Sequence, residues 1–185
     1  MLFKISNFFF RLTRGWLILI LLGIILFINL VLLPQSITSV KSMNNGPLDL
    51  LFFYTPQKAF QMIDSYGEAG RAAYRTFALT IDVLYPLVYT LFFCLFISFL
   101  FQRGEVKLNR LQRLNVIPLG AGFFDLLENL SIVAMLSVYP EQSVFLAWLA
   151  TTFTMLKWIF VGLSFFLISV GISLIIKRKY FPTKS

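Results

Sequence analysis

The stretch WLILILLGIILFINLVLL, residues 16–33, contains no charged residue and is close to the roughly 20 residues that cross a bilayer as a helix. Three further runs have the same character. Residues 77–101 carry one charge, Asp82; residues 114–138 carry Asp125 and Glu128; residues 144–176 carry Lys157. The first run follows Lys4, Arg11 and Arg14, as a cleaved signal would. It is longer than the roughly 7–15 apolar residues of such a signal and is read as a retained helix. The fourth run exceeds the thickness of a bilayer, so it tilts or emerges at one end.

Composition agrees. The chain has 185 residues, of which 58% are hydrophobic and only 13% charged, with 22 Phe. A soluble domain carries about 25% charged residues. The expected fold is an all-α membrane protein: a four-transmembrane-helix bundle in a single domain, with a short interfacial helix in its first extracytoplasmic loop.

Charge placement orients it. Lys4, Arg11 and Arg14 precede the first span, Arg103, Lys107, Arg110 and Arg113 lie between the second and third, and Lys177, Arg178, Lys179 and Lys184 follow the fourth. These eleven oppose four in the first loop (Lys41, Lys58, Arg71, Arg75) and none in the third. Positive residues are retained on the cytoplasmic side. Both termini are therefore expected in the cytoplasm, with the plasma membrane of a bacterium as the default location. Trp16 and Tyr180 at one end, and Tyr74, Tyr139 and Trp148 at the other, fit interfacial positions.

The net charge of +8 does not point to nucleic acid, because the basic residues flank apolar runs and form no contiguous basic module. There is no histidine and a single cysteine, Cys94, within an apolar run. That leaves no internal disulfide, no thiol zinc site and no imidazole chemistry, and no metal or cofactor is expected.

The first loop, residues 34–76, has structure of its own. Thr55 followed by Pro56 reads as a capped helix start, with Ala59, Phe60, Met62 and Ile63 as an apolar stripe and Gly67 as the stop. That stripe is expected to lie on the outer membrane surface.

The informative residues are the polar ones inside the spans, since a charge at mid-membrane costs roughly 2.5–3.5 kcal/mol and needs a partner. In GFFDLLENL, residues 122–130, Asp125, Glu128 and Asn129 share one helical face. They lie roughly 13–20 Å below the outer boundary, and Lys157 lies at a similar depth, so Lys157 pairs with Glu128 or Asp125. Asp82 sits higher, with Tyr85 and Tyr89 continuing its face downward and Arg71 and Arg75 continuing it upward. The expectation is a polar column open to the outer side. Its mouth is Arg71, Tyr74 and Arg75, its body Asp82, Tyr85, Tyr89, Asp125, Glu128, Asn129 and Lys157, and Thr151 and Thr154 line it. Tyr85-Pro86 is expected to kink the second span and free a carbonyl.

Three acids against one lysine leave surplus negative charge. Such a site suits a proton, a cation or a small polar or lipid ligand taken from the outer side. A membrane enzyme acting on a lipid-like substrate would use Glu128 as acid/base, Lys157 as charge stabiliser and Asn129 as positioner. In an accessory subunit the same residues only hold the helices together. The bilayer is the one certain partner, and homo-oligomerisation would widen a narrow pathway.

Overall fold

The computed structural model describes residues 2–34, 46–104 and 109–180. Among them there is no strand, and four helices are long and apolar enough to cross a membrane: Gly15–Leu32, Gly67–Arg103, Arg113–Val138 and Val144–Tyr180. The stretches 35–45 and 105–108 include parts of the first and second loops, so Lys41 and Lys107 lie outside the described residues, as does Lys184.

Helix α1 (Leu2–Leu12) precedes α2 (Gly15–Phe27), which continues as a π-helical turn, Ile28–Leu32. A 3-10 turn (Leu48–Leu50) leads to α3 (Pro56–Ser65), α4 (Gly67–Leu79) and α5 (Ile81–Arg103). The short α6 (Asn109–Gln112) and a 3-10 turn, Arg113–Val116, introduce α7 (Pro118–Val138), and α8 (Val144–Tyr180) ends the fold. At about 1.5 Å per residue, the 37 residues of α8 reach well past the roughly 30 Å of a hydrocarbon core.

The packing hierarchy is clear. α7 lies along α8, α5 covers both, and α2 rests mainly on α5 at the periphery. α5 and α7 approach closely at Gly122, where an added Cβ would collide with the Thr90 hydroxyl and sit 3.4 Å from the Pro86 carbonyl. α1 was not foreseen. It is held by Asn115, whose amide donates to the Ser6 carbonyl (3.2 Å) and to Ser98 Oγ (2.8 Å), and by Gln102, which donates to the Phe10 carbonyl (2.7 Å).

The second span also differs from expectation. It begins ten residues earlier, at Gly67, so Arg71, Tyr74 and Arg75 belong to a helix and not to the loop. Its interruption falls at Thr80 (φ −120°, ψ −87°), whereas α5 runs unbroken through Pro86. The Thr80 hydroxyl satisfies the Thr76 carbonyl at that break (2.7 Å).

α3 starts as its sequence indicates. Thr55 Oγ1 accepts from the Lys58 amide (3.3 Å), and Pro56 occupies the first turn. Gly67, at φ +64°, lets the chain reverse into α4 without a Cβ penalty. The apolar stripe, however, turns into the protein. Ala59, Met62 and Ile63 are buried with Leu48, Tyr54, Tyr66 and Tyr74 against Ile132, Met135 and Leu136 of α7 and Ala147 and Ala150 of α8. Residues 46–66 thus form a cap over one end of α4, α7 and α8.

Two phenols hold this cap. Tyr66 donates to the Gly46 carbonyl (2.9 Å), and Tyr54 is 2% exposed. Burial pushes both above the ordinary phenol range. A raised phenol pKa means that the folded state prefers the neutral form, so its contribution is intact below about pH 10 and is lost as pH rises beyond it. The amide protection factors of residues 46–66 should therefore fall in alkali before the helices lose circular dichroism, and Tyr54→Phe should delay that onset. Cap and helices exchanging together would contradict this placement.

Candidate functional site

The site is built around Lys157 of α8. Its ammonium lies 2.5 Å from Glu128 Oε2 and 3.8 Å from Asp125 Oδ1, both on α7. It also donates to the main-chain carbonyl of Asp49 in the cap (3.2 Å). Asp125 and Glu128 are one turn apart on a helix whose apolar neighbours face outward, which is why both reach the same lysine. Glu128 is 0% and Lys157 6% exposed.

Each carboxylate has a further partner. Thr154 Oγ1, one turn before Lys157, lies 2.5 Å from Glu128 Oε1 and 2.9 Å from the Ala150 carbonyl. A hydroxyl has one hydrogen for these two acceptors. Glu128 is thus served either as a carboxylate accepting from Thr154 or as a carboxylic acid donating to it. The Tyr54 ring enters from the cap, with its hydroxyl beside Thr154 and Glu128. Tyr89 donates to Asp125 Oδ2 (2.8 Å), and its ring meets Tyr85 edge-on.

Asp82 and Asn129 form the neighbouring half of the site. Pro86 has no N–H, so the Asp82 carbonyl four residues earlier loses its helical donor. Asn129 Nδ2 supplies the replacement at 2.6 Å. The carbonyl expected to be freed by Pro86 is therefore the one that joins α5 to α7. Asp82 Oδ2 and Asn129 Oδ1 are both buried without a hydrogen-bond partner.

The column is not open at the mouth expected for it. The cap closes it: Tyr54 N donates to Thr151 Oγ1 (3.1 Å), Tyr74 donates to Asp49 Oδ1 (2.6 Å), and Leu48 is fully buried. Arg71 is used elsewhere, donating to the Ile63 carbonyl (3.4 Å) and stacking 3.8 Å above the Tyr139 ring. Arg75 is exposed. Of the three mouth residues only Tyr74 reaches the cluster, through Asp49. Tyr85 lies at the edge, where its hydroxyl accepts from Asn29 Nδ2 (3.1 Å).

Three contributors escaped sequence reasoning. Asp49 and Tyr54 lie in a loop whose return over the helices has no local signature. Asn29 is one amide in an otherwise apolar span; an isolated polar residue there is itself a signal. Among the described residues no group of three or more acidic or thiol side chains is placed to hold a metal ion.

The chain matches no protein-family model, no curated protein and no solved structure with which it was compared. What fold and site define is therefore a class: an all-helical chain with four helices able to cross a membrane. Four carboxyl groups and one lysine are gathered between three of them and a cap.

Lys157→Met would leave Glu128 buried and unpaired, so it should destabilise the protein by about 3–5 kcal/mol. Adding Glu128→Leu to it should restore most of that loss. Unfolding in mild detergent measures both; a single variant as stable as the parent would contradict the pairing.

Proposed function

We propose that this is a multi-pass plasma membrane protein, of the bacterial inner membrane, with both termini cytoplasmic. Its four-helix bundle holds a buried carboxylate–lysine site that takes up a proton or a small cation from the outer side. The charge bias between the two ends supports this orientation, in which the cap lies on the extracytoplasmic side. The uptake rests on one observation. Asp49, Asp82, Asp125 and Glu128 surround a single ammonium, and Asp82 keeps a buried oxygen with no partner. Full ionisation would leave the cluster strongly negative in a medium that penalises unpaired charge. A proton or a cation removes that penalty. The two-way contact between Glu128 and Thr154 gives a proton a second place to rest.

An accessory role is the second reading, and the close Lys157–Glu128 pair favours it. An acid/base enzyme acting on a lipid-like substrate has less support, because Glu128 is fully enclosed and engaged on both oxygens.

Infrared difference spectra of the purified protein in lipid separate uptake from an accessory role. Moving from mildly acid to mildly alkaline pH should change the protonated-carboxyl band, and Asp82→Asn should remove part of that change. A wild-type protein with no carboxyl titration in this window would leave only the accessory role.

A further inference from the structure

Resting on the buried-site reading above, we infer that Asp82 and Asn129, covered by Asp49 of the cap, form the seat of a monovalent cation, and that the cap closes over it. The two orphaned oxygens carry the inference. Asp82 is 8% and Asn129 3% exposed, and Asp82 Oδ2 and Asn129 Oδ1 have no partner. An amide oxygen and a carboxylate oxygen can only accept. Buried acceptors left bare are costly, so both call for a donor or a cation. They are also neighbours. The Asn129 amide nitrogen is fixed at 2.6 Å on the Asp82 carbonyl, which holds its oxygen in the Asp82 neighbourhood. Pro86 makes this arrangement by withdrawing the helical donor from that carbonyl.

Charge adds a second, independent argument. The charged groups facing Asp82 are Asp49 from the cap, Asp125 and Glu128 from α7 and Lys157 from α8. Tyr74 of α4 adds a neutral hydroxyl through Asp49. Lys157 is already shared between Glu128 and Asp125. Its hydrogen bond to the cap goes to the Asp49 main-chain carbonyl, and among the described residues its ion pairs are with Glu128 and Asp125 and not with the Asp49 carboxylate. Closing the cap therefore adds a further carboxylate near Asp82, one that forms no ion pair with Lys157. A proton or a monovalent ion at Asp82 cancels its charge and removes that repulsion.

The ligand set favours a single charge. A multivalent ion takes six or more oxygen ligands with several carboxylates among them, and the described residues hold no such acidic group. A proton on Asp82 could be donated to Asn129 Oδ1; an alkali ion would take the same oxygens as ligands.

The test uses the full chain in nanodiscs of zwitterionic lipid. Hydrogen exchange of residues 46–54 is followed in sodium, potassium or N-methylglucamine chloride at equal ionic strength, and separately across pH. Sodium or potassium, or acid alone, should raise the protection factors (rates corrected for the intrinsic pH dependence of amide exchange) about tenfold, as binding at roughly ten times Kd would. N-methylglucamine should not. An effect in the salt arm assigns an alkali ion, and an effect only in the pH arm assigns a proton; either upholds the seat. Asp82→Asn should lose the response. Asp49→Asn, lacking the like charge, should keep the cap protected in every condition, and circular dichroism checks that both variants fold. A wild-type cap indifferent to salt and pH would overturn the inference. So would variants that respond as the wild type does. If the carboxyl band of the wild type still titrates in either case, the buried-site reading survives and only the seat is wrong.

Discussion

A lysine ammonium enclosed by apolar helices must be balanced where it stands, because no bulk water can share the task. Lys157 is balanced from two directions. Glu128 and Asp125 supply charge from α7, and the Asp49 carbonyl supplies a dipole from the cap. The register of α7 against α8 and the docking of residues 46–54 both depend on this one group. Around it, Thr154 and Tyr89 complete the carboxylate shells, so the hydrogen-bond order continues into α5 and α8.

The second constraint is Pro86. In water its missing N–H would be a minor defect; within apolar helices the bared Asp82 carbonyl needs a partner. Asn129 takes that place, and with it α5 is locked to α7 at the level of the carboxylates. Gly122 permits the close approach that this bond requires. Backbone chemistry, small residues and buried charge thus converge on the same pair of helices, while α2 joins from the side through the bond between Asn29 and Tyr85.

Much of this was legible because membrane helices announce themselves by length and apolarity. Three of the four apolar runs match the observed helices closely at their starts, the second helix begins ten residues early at Gly67, and the common depth of Asp125, Glu128 and Lys157 follows from helical rise alone. The start of α3 was legible at Thr55-Pro56 because capping is local chemistry. What stayed hidden depends on contacts distant in sequence. Asp49 sits 108 residues from Lys157, and nothing near it indicates that its carbonyl will meet an ammonium. The stripe Ala59, Met62 and Ile63 packs into the protein and not against lipid; periodicity identifies an apolar face but not what covers it. α1 was missed for a related reason: it buries Ser6, a residue whose burial makes sense only once Asn115 and Gln112 are known to meet it.

Solid-state NMR of the protein in lipid bilayers, with labelled lysine nitrogen and carboxyl carbon, addresses the central claim most directly. Lys157 is the only lysine within the four apolar runs, so a buried ammonium resonance belongs to it. The account predicts a through-space correlation between Lys157 Nζ and Glu128 Cδ, a weaker one to Asp125 Cγ, and slow exchange of that ammonium with water. A Lys157 signal that exchanges as fast as surface lysines and shows no carboxyl correlation would contradict it.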